Sequence, residues 1–165
     1  MDKKLVKAFN EQIKNELYSA YLYLSMAAYC DSINLPGCAH WMKLQAGEEE
    51  GHAMKMFDFL SDRGDRVKLQ AIPQPPEEFS SAKGVFEETL KHEKKVTALI
   101  NKLYELANDV EDNAASIFLQ WFVTEQVEEE KNASDILAQL KVVKADAPSM
   151  LMLDNVLAKR AAEKE

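Results

Sequence analysis

The stretch Glu48-Glu49-Glu50-Gly51-His52 decides how this chain folds. Glu49 and His52 are three residues apart, so on a helix they project from one face. Glu16 lies 33 residues before Glu49, and the trio Glu16, Glu49 and His52 has a counterpart in Glu93, Gln126 and Glu129, each 77 residues further along. Glu48 and Glu125 share that offset. Glu16 and Glu49 are equidistant from the Ser32–Ile33 bond, and Glu93 and Gln126 from the Asp109–Val110 bond. In an antiparallel helical hairpin, residues equidistant from the turn lie at one height. At about 1.5 Å per residue both sets sit roughly 25 Å from their turns. Two such hairpins packed together would gather Glu16, Glu49, His52, Glu93 and Glu129 around one point near mid-bundle.

Working outward, the flanks supply those hairpins. Leu5, Phe9, Ile13, Leu17, Ala20 and Leu24 recur at spacings of three and four, which predicts an amphipathic helix from about Asp2 to Asp31. Ser32-Ile33-Asn34-Leu35-Pro36-Gly37 breaks it, and a second helix follows from about Pro36 to Arg63. A connection from Gly64 to Phe79, with Pro73, Pro75 and Pro76, is long enough to cross from one end of a bundle to the other. Ser80 or Ser81 caps a third helix running to about Asn108, and a fourth runs from the Asn108–Asn113 turn to about Lys144. A short fifth helix spans about Pro148 to Ala162, and the charged tail from Lys159 to Glu165 is expected to fray. The expected fold is all-α, one domain over residues 1–165. It is an antiparallel four-helix bundle over about 2–144, with a long crossover between helices 2 and 3 and a short C-terminal helix over about 148–162.

Composition agrees. With 47% hydrophobic and 29% charged residues the chain is not disordered, and five Gly and five Pro are too few for a turn-rich β fold. A net charge of −8 argues against nucleic acid as a partner and leaves cations open. The most apolar stretch, Leu17 to Cys30, is too short to span a membrane, and no apolar run follows the basic start. A cytoplasmic protein without membrane partners is therefore expected. Cys30 and Cys38 form no CxxC and read as two buried thiols, with a redox pair as the alternative.

Four buried carboxylates and an imidazole are costly to desolvate unless a cation compensates them. Oxygen donors with one nitrogen suit a pair of iron ions. Di-iron carboxylate bundles use this pattern: a Glu from each of two helices and Glu-x-x-His from each of the other two. Here only the first half is complete, because the second reads Gln126-Val127-Glu128-Glu129. Tyr23 is two turns beyond Glu16 on the same face, and its ring is expected to lean back toward Glu16. Trp121 reads as bulky core or as a neighbour of the site. His40 and His92 read as structural or surface residues, His92 being rotated about 100° from Glu93 on a helix. Gly47 and Gly51 flank the second-helix ligands. Either they admit close packing or local adjustment as iron enters, or a stable bundle tolerates them.

At these residues the sequence resembles the non-haem ferritins of bacteria and archaea. The resemblance runs through Asn15-Glu16-Leu17-Tyr18-Ser19, Glu48 to His52, His92-Glu93, Phe118-Leu119-Gln120-Trp121, Thr124 to Glu130, and Leu153-Asp154. It implies an iron-storage ferroxidase that oxidises Fe(II) with O₂ or H₂O₂ and stores the ferric mineral in a hollow homo-oligomeric shell of 24 subunits. By motif match, Glu16, Glu49 and His52 would hold the first iron. Glu93 and Glu129 would hold the second, with Glu49 bridging and Gln126 beside it. Glu48, Glu125 and Glu128 match the family's third iron site, linked to the pair by Glu129. Tyr23 and Trp121 match a tyrosine and a tryptophan near the irons. Seven of the 28 acids are then candidate ligands, which leaves 21 acids against 20 bases and turns the negative charge into a local feature.

Haem is not expected. Bacterioferritins place a haem-ligating methionine between the Glu and His of the first motif, where this chain has Glu50 and Gly51. Met54, Met56, Met150 and Met152 read instead as packing residues. A rubrerythrin-like peroxidase on the same bundle is the alternative function, though its paired CxxC module is not in the sequence. Asp109, Glu111 and Asp112 read as turn acids, or as the lining of an entry channel.

Overall fold

The computed structural model describes residues 1–143 and 147–162. Five helices appear in order: α1 (Lys3–Ser32), α2 (Pro36–Asp62), α3 (Ala82–Asp109), α4 (Asn113–Val142) and α5 (Ala147–Leu157). No strand occurs among the described residues. The expected end of the fourth helix at Lys144 and the last residues of the tail, from Glu163, lie outside them. No helix of the described residues is long and apolar enough to cross a membrane.

Local chemistry sets the helix ends. Asp2, Ser81 and Asp112 each accept a backbone N–H of the first turn, from Lys4, Gly84 and Ala115. Helix α2 has no such side chain and starts instead with Pro36 in its first turn. The first three helices end in one motif, with a left-handed residue just past the cap: Asn34 (φ 61°), Gly64 (φ 77°) and Glu111 (φ 57°). In each, the next residue donates back five positions, Leu35 to Cys30, Asp65 to Leu60 and Asp112 to Ala107, so the last carbonyls are not orphaned.

Helix α1 packs on α2 and α3 on α4, with α1 also against α3. The long connection climbs beside α1: Asn10 accepts from the Lys68 N–H, Ser25 donates to the Pro76 carbonyl, and Phe79 packs on Tyr29 at 5.4 Å. This route returns the chain to the end of the bundle at which α3 begins. Arg63 makes two 2.9 Å bonds to Asp112, tying the end of α2 to the start of α4. Asp112 is therefore a structural cap and ion-pair partner.

Helix α5 lies against α2 and α4. Asp154 accepts from the backbone N–H groups of Gly37 (3.0 Å) and Cys38 (2.8 Å), which satisfies the uncapped start of α2. A Cβ on Gly37 would stand 1.8 Å from the Asp154 carbonyl oxygen, so this approach needs glycine. The tail does not fray at Arg160. Its guanidinium bonds Glu48 (2.6 Å) and Gln45 (2.9 Å), and its carbonyl accepts from His40 (2.9 Å).

The apolar core is in two parts. One holds Leu5, Phe9, Ile13, Met56, Leu60, Ile100 and Leu119. The other holds Leu22, Met26, Met42, Phe86, Leu137 and Leu153. Between them, at the height the spacing predicted, lies a buried polar layer: Glu16, Glu49, His52, Glu93, Gln126 and Glu129.

Candidate metal centre

Each of the four bundle helices contributes to this layer. Glu16 comes from α1, Glu49 and His52 from α2, Glu93 from α3, and Gln126 and Glu129 from α4. All are 5% exposed or less, which for four carboxylates demands compensation. Ligand atoms of Glu16, Glu49 and His52 lie within 4.8 Å of one another, and so do those of His52, Glu125 and Glu129. The imidazole is thus shared between two candidate clusters rather than belonging to the first alone. Glu16 Oε2 and Glu49 Oε2 are buried without a hydrogen bond. Both belong to the first cluster, and a hard cation with oxygen and imidazole ligands fits there.

Four other carboxylate oxygens of the layer are held by neighbouring side chains. Gln12 donates to Glu16 Oε1 (2.8 Å), and Gln45 donates to Glu129 Oε2 (2.6 Å). Tyr23 Oη donates to Glu93 Oε1, and Gln126 Nε2 lies 3.3 Å from Glu93 Oε2 and 3.2 Å from Thr97 Oγ1. Tyr23 is fully buried and reaches across to α3, so its polar partner is Glu93 rather than the Glu16 of its own helix.

Burial is the leading cause of every carboxyl shift in the layer. It raises Glu16 to about 7, against the lowering effect of Gln12. It raises Glu49 and Glu129 well above the usual carboxylate range, with the Glu93 charge reinforcing both. Glu93 is raised by burial and partly relieved by Tyr23 and Gln126. The Tyr23 phenol is also pushed up, by burial and then by Glu93. A metal-free site therefore retains protons that an arriving cation must displace.

The outer acids divide. Glu125 is half-buried and reaches His52 and Glu129, whereas Glu48 is half-buried against Arg160. Glu128 is exposed and joins neither cluster. Trp121 is not core: it is 40% exposed, with its ring edge-on to His52 at 5.4 Å and Lys55 Nζ 4.8 Å from its centre. Met54 and Met152 are likewise exposed, while Met56 is buried and Met150 packs at the core edge. A Cβ on Gly47 would meet nothing within 4 Å, so close packing does not explain that glycine. His92 contacts Ser19 Oγ (2.8 Å) and the rings of Tyr18 and Tyr23, and burial lowers its pKa to about 4. Cys30 and Cys38 are free and buried.

Gln12, Gln45, Thr97 and Arg160 were not anticipated as neighbours of the site. A signal for two of them was present: Gln12 and Gln45 each precede a candidate ligand, Glu16 and Glu49, by one helical turn. Nothing local marks Thr97 or Arg160.

An all-α bundle with a carboxylate and histidine layer contributed by all four helices defines a ferritin-like protein, and the chain belongs to the ferritin-like domain family, whose model matches residues 6–143. A bacterial non-heme ferritin of Staphylococcus saprophyticus is 38% identical over 161 residues, spanning 98% of this chain and 96% of its own. A bacterial non-heme ferritin of Bacteroides fragilis is 39% identical, spanning 97% and 99%. The solved structure of an open pore ferritin from the archaeon Archaeoglobus fulgidus matches with a TM-score of 0.96 at 50% identity, covering 98% of this chain and 99% of that one.

Proposed function

We propose that this protein is an iron-storage ferroxidase. The observation that carries the reading is the buried layer itself: four carboxylates from four helices around one imidazole, with Glu16 Oε2 and Glu49 Oε2 left without hydrogen bonds. Fe(II) is the substrate. One ion is held by Glu16, Glu49 and His52 and a second by Glu93 and Glu129, with Glu49 between them and Gln126 beside the second. O₂ takes one electron from each Fe(II) and two protons, giving H₂O₂ and two Fe(III); H₂O₂ serves as an oxidant in the same way, giving water. The protons held by the raised carboxyls leave as the cations enter. Tyr23 fixes Glu93 and is placed to pass an electron. Glu48, Glu125 and Glu128, with Glu129 as the link, are the ligands of a third site that leads Fe(III) onward: Glu125 and Glu129 already lie together, while Glu48 would have to leave Arg160 and Glu128 would have to turn in from the surface.

In this reading the chain is one cytoplasmic domain that assembles into a hollow shell, with the 24 subunits that the sequence resemblance implies, and the mineral fills the shell. The test is to add Fe(II) aerobically, follow oxidation by absorbance, and fractionate the product by size. Hundreds of Fe(III) per particle eluting near the shell mass are expected. A small oligomer retaining about two irons per chain would favour a peroxidase-type enzyme instead. Glu49→Ala should abolish the fast phase, since it removes the carboxylate common to both ions, and a wild-type rate would mean the centre lies elsewhere.

A further inference from the structure

The tail beyond α5 places a positive charge on one of the outer acids, Glu48. Three residues past Leu157, Arg160 lies over α2, its guanidinium 4.5 Å from the centre of the Trp41 ring. Nη2 donates to Glu48 Oε2 at 2.6 Å and Nη1 to Gln45 Oε1 at 2.9 Å. The other end of the Gln45 amide donates to Glu129 Oε2 at 2.6 Å. Both side chains of the Arg160–Glu48 pair are mostly buried, 15% and 17% exposed, so water screens the contact only in part. The guanidinium cannot lose its proton, so only movement removes this charge. Movement is available to the side chain alone, because His40 holds the Arg160 carbonyl and Asp154 pins α5 to the start of α2.

We propose that Arg160 is a built-in counter-cation that competes with iron for Glu48. When the third site is empty, Arg160 neutralises Glu48 and, through Gln45, holds Glu129 toward the outer acids. When a metal ion binds Glu48, the guanidinium swings off Glu48 and Gln45. Arg160 thus weakens the third site selectively, so ions pass through it rather than remaining. The inference rests on the proposed third site.

The experiment is calorimetric titration of the metal-free full chain with Zn(II), a cation without redox chemistry. Arg160→Gln keeps much of the stem over Trp41 and removes the charge, while Arg160→Ala checks that the result does not depend on the amide. Loss of one charge-assisted hydrogen bond corresponds to about tenfold tighter binding in the weakest class of sites. Adding Glu48→Gln to Arg160→Gln should cancel that gain. If wild type and Arg160→Gln both bind a third Zn(II) per chain with equal affinity, the competition is overturned while the third site stands. If neither binds a third ion, the third-site reading itself falls. A purely structural Arg160 would lower the melting temperature without tightening the weakest class, which also overturns the proposal.

Discussion

Glu16 shows how one residue couples protons to cations. Its carboxyl titrates at about 7 in the folded chain against about 4.5 when exposed, because burial outweighs the Gln12 hydrogen bond. Between those values the folded state binds more protons than the unfolded state. The stability Glu16 contributes is therefore complete below about pH 4.5 and lost as pH rises through about 7. The same proton must leave when a cation binds. Zn(II) binding measured calorimetrically in two buffers of different ionisation enthalpy should release protons at pH 6, with the Glu16 share fading above pH 7. A release independent of pH across this range would contradict the assignment. Tyr23 gives a second residue-scale prediction. Tyr23→Phe removes the O–H that Glu93 Oε1 accepts, leaving that buried oxygen short of a donor. The cost to the metal-free protein should be about 1–3 kcal/mol, read from urea unfolding.

At the scale of elements, two glycines of α2 make opposite predictions. Gly47 is exposed and a Cβ there would meet nothing, so Gly47→Ala should stabilise the helix by about 1 kcal/mol. Gly37→Ala would drive a Cβ into the Asp154 backbone and break the two hydrogen bonds joining α5 to α2. It should destabilise by about 1–3 kcal/mol. Thermal melts of the two variants should therefore move in opposite directions. The elements also show what periodicity can and cannot reveal. On α1 the apolar stripe predicted Leu5, Phe9 and Ile13 correctly, and then failed: Leu24 is half exposed, while Glu16, Ser19 and Tyr23 face inward. The buried face turns polar where it meets the candidate centre, so hydrophobicity loses the track there and only the repeated spacing of acids recovers it. Trp121 left two readings open for the converse reason, since a large aromatic on the rim of a polar site has the composition of core without its burial; its ring beside His52 selects the site-neighbour reading. Arg160 was illegible because its role depends on where α5 docks, a long-range contact with no local sequence mark.

For the whole molecule, the two apolar clusters and the acid layer between them pull stability in different directions. The clusters on either side of the layer fold the chain, and the layer works against them whenever no cation is present. Replacing one of its acids by a neutral isostere should then help the empty protein and harm the loaded one. Glu49 is the best position, because burial and three neighbouring acids all raise its carboxyl. At neutral pH, Glu49→Gln should melt higher than wild type when both are metal-free. Zn(II) at about 100 times Kd should stabilise wild type by about 2.7 kcal/mol per site, and this gain should largely disappear in the variant. The order of the two melting temperatures should therefore reverse between chelator and saturating Zn(II). A variant less stable than wild type in both conditions would show that Glu49 stabilises the bundle by itself, and that the layer is not held ready for cations.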